Sequence, residues 1–217
     1  MLGNLFFEAI VFVCAGRSFK DRVADLWTKI KAYYTKTKLE KQSRLQNLTP
    51  EMIRRDNKAP KFRGKGAETR HLVAFAVEFA QEYHEKVNSR HSLVVYQMVS
   101  ALFDLYMAMS LADYDASMVG TATRKFLVLY ESLNKEAQKK GDFNAWRMKP
   151  KMHLVQEMGE FQSQELGNPR LFWCYRDESF VGFIATIVSS RGGGGTCHTN
   201  PLTAIEKYRA LCCIDSL

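Results

Sequence analysis

Between residues 18 and 140 the apolar side chains keep returning at helical spacing, and this periodicity limits the fold more than any other feature of the chain. Val23, Leu26, Trp27, Ile30, Tyr33 and Tyr34 form one such stripe. Leu72, Phe75, Ala76, Phe79 and Tyr83 form a second, and Phe126, Leu129, Leu133 and Ala137 a third. Residues spaced in this way share one face of an α-helix, whereas a strand would need strict alternation. The predicted fold is mainly α: a helical bundle-like domain with at most a short strand near 171–175, where Leu-Phe-Trp-Cys-Tyr has strand-like composition.

Start and stop signals divide the pattern into helices. Ser18 is an N-cap candidate with Asp21 in the first turn, opening a long basic helix over 19–46. Thr49-Pro50 pairs a cap with a proline at the first helical position and predicts a short helix. A helix over 67–88 follows. Ser89 or Ser92 caps the next, 92–112, which is apolar nearly all round and is expected at the centre of the core. Its methionines read as gap fillers and its Asp104 as solvent-facing or hydrogen-bonded. A further helix over 121–140 is closed by Gly141.

The chain has 217 residues, 46% of them apolar and 12% aromatic, which is the composition of a domain with a sizeable core rather than of a disordered segment. Its net charge of +8 is uneven. Residues 17–70 hold 16 Lys and Arg against 6 Asp and Glu, a local excess of +10, and the rest of the chain is slightly acidic. Such an excess suits the phosphates of nucleic acid, and equally describes a well-solvated lysine-rich surface. The cations concerned are Lys29, Lys31, Lys36, Lys38, Lys41, Arg54, Arg55, Lys61, Arg63 and Lys65. Residues 57–66, NKAPKFRGKG, read as a basic loop. Gly64-Lys65-Gly66 resembles part of a phosphate-binding loop, but the full GxxxxGK[ST] pattern is absent and no strand precedes it.

Five cysteines, an odd count with no CxxC pair, suggest no disulfide framework and a reducing, intracellular compartment. Cys197, His198, Cys212 and Cys213 have no standard zinc spacing. The opening run Leu5–Gly16 lacks a basic leader, contains Glu8 and is too short to span a bilayer, so a buried helix or strand is expected and no membrane partner. Beginning in apolar sequence also suggests a start partway through a larger fold.

The densest chemistry lies in 148–182. Lys149-Pro150-Lys151 predicts a helix start, and in the helix 152–166 His153, Glu157 and Glu160 fall on one face. That face can build a metal or acid–base cluster, or simply be polar and exposed. Gly167-Asn168-Pro169 breaks the helix. Asp177 and Glu178 then begin another helical stripe, where carboxylates also complement the dipole and Arg176 can pair with one of them. The expected organisation is a basic helical domain over 1–147, a KPKxH/NPR/DExFxG block over 148–190 packed on it, and a glycine-rich loop with a short helix over 191–217.

The order Pro150-Lys151-Met152-His153-Leu154, Asn168-Pro169, Phe172-Trp173-Cys174-Tyr175, Asp177-Glu178, Gly182 resembles the C-terminal part of CACTA-like cut-and-paste transposases. It is also similar to uncharacterised open reading frames of repeated elements in dinoflagellates. The resemblance covers about 35 residues in detail. It implies an RNase H-like core interrupted by a helical insertion, in which carboxylates hold divalent cations such as Mg2+. Glu178 would supply the last catalytic carboxylate and Asp177 the alternative, with His153, Asp177 and Glu178 as candidate metal ligands. No strand-borne aspartate pair precedes residue 148, so the chain would be the insertion plus the end of the catalytic domain, inactive alone. Three functions follow from these readings. One is a transposase-derived fragment that binds DNA without reading its sequence, with a nuclear location. The second is a helical protein-interaction module. The third is a metal-dependent hydrolase using His153, Glu157, Asp177 and Glu178.

Overall fold

Each apolar stripe becomes the buried face of a helix. The computed structural model describes residues 1–38, 44–54, 56, 58–109 and 114–171. They belong to one unit, Met1–Leu171, and the chain from Phe172 onward belongs to a separate unit outside the described residues. The described elements are α1 (Leu2–Val13), α2 (Phe19–Thr37), α3 (Pro50–Ile53), α4 (Gly66–Val87), α5 (Arg90–Ala108), α6 (Ala116–Lys139) and α7 (Lys151–Gln156). α7 runs on through a π-helical stretch, Glu157–Gln162, into a last α turn, Ser163–Glu165, and a 3-10 turn follows at Pro169–Leu171. The described residues contain no strand. Of the strand predicted near 171–175, Leu171 lies in the 3-10 turn and the remainder falls outside the described residues.

The run Leu5–Gly16 is a core helix for most of its length: Leu2, Leu5, Phe6, Ala9, Ile10 and Val13 of α1 are buried. α5 packs between α4 and α6, as its all-round apolar composition predicts. Asp104 faces solvent. Ser18 caps α2 through a reciprocal pair, with Asp21 N donating to Ser18 Oγ at 3.1 Å and Ser18 N to Asp21 Oδ2 at 3.0 Å. Ser89, rather than Ser92, caps α5, and Ser92 completes the box. No helix among the described residues is long and apolar enough to cross a membrane.

Helix ends differ from expectation where tertiary contacts decide them. α2 stops at Thr37, not near residue 46, and Lys38 takes a left-handed φ of 52°. By Leu45 the chain has folded back, and its amide donates to the Tyr34 hydroxyl at 3.1 Å. Burying Leu45 and Leu48 beside Tyr34 outweighs the modest propensity of a polar, lysine-rich helix to continue. α6 begins at Ala116, five residues before the predicted start, because Asp115 Oδ1 accepts from Ser117 N at 2.7 Å and Met118 N at 3.3 Å.

The portion of the 148–190 block that is described, 148–171, packs along α6. Its helix carries one wide turn where it meets α6. Gly159 sits so close to α6 that a Cβ there would lie 2.1 Å from Thr123 Oγ1 and 2.7 Å from Thr123 Cγ2. A π-turn adds a residue to one turn and shifts the face that meets the neighbour. Gly159→Ala is therefore expected to cost about 2 kcal/mol through overpacking. Thr123→Ala in the same chain should recover only part of it, since it removes the two nearest atoms but leaves Thr123 Cβ 2.8 Å from the new methyl. Thermal melts of both single variants and the double test this, and additive losses would refute the contact.

Candidate functional site

The basic helix α2 lies against α4, the helix that follows the basic loop. α2 and α4 run in opposite senses. Lys29 Nζ lies 3.3 Å from Glu82, Lys36 Nζ 3.2 Å from Glu78, and the Tyr33 and Phe75 rings are 5.6 Å apart. The C-terminal half of α2 thus lies over the middle of α4. Burial pushes the Tyr34 phenol up, and the charge of Glu68 near the start of α4 adds to the shift.

The predicted cations divide into two groups. Lys29 and Lys36 hold α2 to α4, and Lys86 shares Glu82 at 2.8 Å. Burial alone would raise the Glu82 carboxyl, but the Lys86 and Lys29 hydrogen bonds outweigh it and hold Glu82 below the usual range. The Arg54 guanidinium stacks 4.5 Å over Phe7 and donates to the Lys58 carbonyl at 3.0 Å, and Arg63 donates to the Glu51 carbonyl at 2.8 Å. Lys31, Lys38, Lys61 and Lys65 are exposed, with no carboxylate paired to them as a salt bridge among the described residues. Lys41 and Arg55 lie outside the described residues.

Where the chain folds back after α2, it forms a cleft of about 390 Å³ against that helix. Lys31 Nζ sits 5.9 Å from the centre of the Trp27 ring, and Arg44 Cζ 5.7 Å over the Tyr34 ring. Tyr34 is buried and its hydroxyl is taken by Leu45, whereas Trp27 is only partly buried. Arg44 was not among the predicted contacts. Nothing local to its sequence distinguishes it from its neighbours, because the fold-back alone brings it to α2.

His153 and Glu160 line a second groove, of about 510 Å³, with Arg124, Lys149 and the apolar Leu127, Met148 and Met152. Glu157, where the π-helical stretch begins, is not among its lining residues. Glu160 is engaged by Arg124 at 3.0 Å, and His153 is exposed. Among the described residues no group of three or more His, Cys, Asp or Glu is arranged to hold a cation. Asp177, Glu178 and the Cys197/His198/Cys212/Cys213 set lie outside the described residues, and with them the Mg2+ ligands that the transposase resemblance implies.

A different constellation surrounds Glu8 of α1. Tyr83 donates its hydroxyl to Glu8 Oε1 at 2.9 Å, Trp146 Nε1 donates to Glu8 Oε2 at 3.0 Å, and His91 Nε2 bonds Glu8 Oε1. His91 Nδ1 meets Glu136 Oε2 at 2.8 Å, and Lys140 reaches the other oxygen of Glu136 at 2.6 Å. The bond from Glu8 raises the His91 ring above its ordinary value against the opposing effect of burial, and Glu136 reinforces it. With a carboxylate on each nitrogen, the ring has no lone pair to offer a substrate, so the cluster ties helices together rather than catalysing. The one sequence signal for it is Glu8 itself, a charge in an apolar helix that has to find partners.

Comparison of the chain with protein-family models, curated proteins and solved structures returns no significant match.

Proposed function

We infer that the chain is a helical nucleic-acid-binding module that contacts phosphates without reading base sequence. The observation that carries this reading is that Lys38 on α2 and Lys61 and Lys65 of the loop before α4 are all exposed, with no salt bridge among the described residues, within the segment of +10 local charge. Clustered ammonium groups neutralise phosphates and release condensed counterions, whereas evenly scattered lysines only solvate a surface. The motif order over 150–182 supports deriving such a module from a cut-and-paste transposase. Binding, not cleavage, is the activity assigned to the chain by itself.

Duplex DNA binding measured across a salt series tests the reading. Lys38, Lys61 and Lys65 are the residues to change, to Gln. Lys29 and Lys36 are unsuitable, since each is already paired with a carboxylate, Glu82 or Glu78, of α4. The wild type should lose affinity steeply with salt, and each lost phosphate contact should reduce the log–log slope by about 0.9. Absence of binding at low salt would defeat the reading and shift attention to the apolar groove beside α7 as a surface for a protein partner.

A further inference from the structure

We propose that the cleft between α2 and the returning segment at Arg44–Gln46 takes one unpaired nucleotide of a single-stranded nucleic acid. Trp27 would provide the stacking surface for the base and Lys31 the cation for its phosphate. The proposal rests on the nucleic-acid reading above and gives it a site. Among the described residues, two aromatic rings and two cations line the cleft, and no carboxylate does. In this it differs from the two larger grooves on α6, where Glu131 with Glu160 or Glu136 offers carboxylates to the cations beside them. A volume of about 390 Å³ falls within the range of small-ligand sites, of the order of 300–1,000 Å³, and is far too small for a base pair with both its backbones.

The roles of the rings follow from their surroundings. Tyr34 is buried, its hydroxyl is bonded to Leu45 and Arg44 lies over its ring, so it forms the floor of the cleft. Trp27 is partly exposed, one helical turn before Lys31, whose ammonium already sits at cation–π distance from the ring. A planar base adds to this arrangement by stacking on the indole, and stacking is indifferent to which base it is. Lys31 has no salt-bridge partner among the described residues, so a phosphate does not have to displace one.

The test uses the full chain, an oligothymidylate of about 15 nucleotides and a duplex of the same length. Wild-type tryptophan fluorescence should be quenched by the oligothymidylate, and Trp27→Phe should remove that quenching while Trp146 and Trp173 remain. Trp27→Leu should weaken oligothymidylate binding about tenfold and leave duplex binding unchanged. Lys31→Gln, at an exposed position that folding tolerates, should reduce the salt slope for the oligothymidylate by about 0.7. Unchanged oligothymidylate affinity in Trp27→Leu, or an unchanged slope in Lys31→Gln, overturns the cleft assignment. If the triple lysine variant still loses duplex binding in that case, the broader function survives without it. Failure of the wild type to bind either probe at low salt overturns both.

Discussion

Replacing Glu8 with alanine is expected to lower the melting temperature by about 10 °C, corresponding to about 3 kcal/mol in a chain of this size. The loss has three parts, the first being the Tyr83 hydroxyl left without its acceptor. Trp146 is 1% exposed, and its Nε1 would be left as a buried donor without a partner, at a cost of about 1–3 kcal/mol. The charge-assisted bond to His91 also disappears, which is worth a similar amount because the two side chains are only 28% and 21% exposed. Glu8→Gln keeps an acceptor for one donor and should cost about half as much. A Glu8→Ala melt within about 2 °C of wild type would show that the cluster does not hold the helices together.

The same cluster gives stability a defined pH dependence. His91 titrates above its ordinary value of 6.5 in the folded chain. Its contribution is therefore complete below that value and is lost as pH rises through the higher folded one. Glu136 behaves in the opposite way. Burial would raise its carboxyl, but the Lys140 and His91 hydrogen bonds prevail and hold it below its ordinary 4.5. Its contribution is present above 4.5 and is lost as pH falls through the lower folded value. Melts across this range should show stability falling on the alkaline side, and His91→Gln should flatten that limb specifically. An alkaline limb unchanged in His91→Gln would assign the slope to another group.

Gly3→Ala is the second large effect expected. Two influences oppose each other at this position in the first turn of α1. Alanine is the better helix former by up to about 1 kcal/mol. However, its Cβ would lie 2.4 Å from Phe62 N and 2.7 Å from both Lys61 Cα and Lys61 C. These are backbone atoms, which cannot swing aside as the end of a side chain can. They are fixed by hydrogen bonds from Lys61 N to Ile53 O at 2.8 Å and Arg63 N to Met52 O at 2.9 Å. Sterics therefore prevail, and the net loss is about 2–3 kcal/mol. The loop has to lift away from α1, separating Phe62 from Phe6, whose ring centres are 5.7 Å apart. Faster tryptic cleavage at Lys58–Lys65 should accompany the lower melting temperature, and on the proposed function so should weaker nucleic-acid binding. An alanine variant that melts at or above wild type would mean that the loop is free to move.

Most of the helical architecture is legible in the amino-acid sequence. The stripes of α2, α4 and α6 and the caps at Ser18, Thr49, Ser89, Gly141 and Gly167 are local signals. They act over a turn or two, between residues near one another in the chain, so the sequence by itself determined that these segments would be helices and which faces they would bury. It also exposed the concentration of charge in residues 17–70, because counting needs no coordinates. The predicted length of α2 did not carry over, because the chain returns to place Leu45 against Tyr34, a contact between residues the local pattern does not relate.

The cluster around Glu8 shows the same limit most clearly. Its members lie on α1, α4, α5 and α6 and in the turn after α6, and the Glu8–Trp146 bond alone spans 138 positions. Each of these side chains has an ordinary local explanation, and only packing reveals that they share one set of protons. The cleft of Trp27, Lys31 and Arg44 likewise exists because the chain reverses after Thr37. Tertiary structure decided these sites because hydrogen-bond satisfaction and close packing depend on which surfaces meet, and helical periodicity specifies only that each helix has a surface to bury.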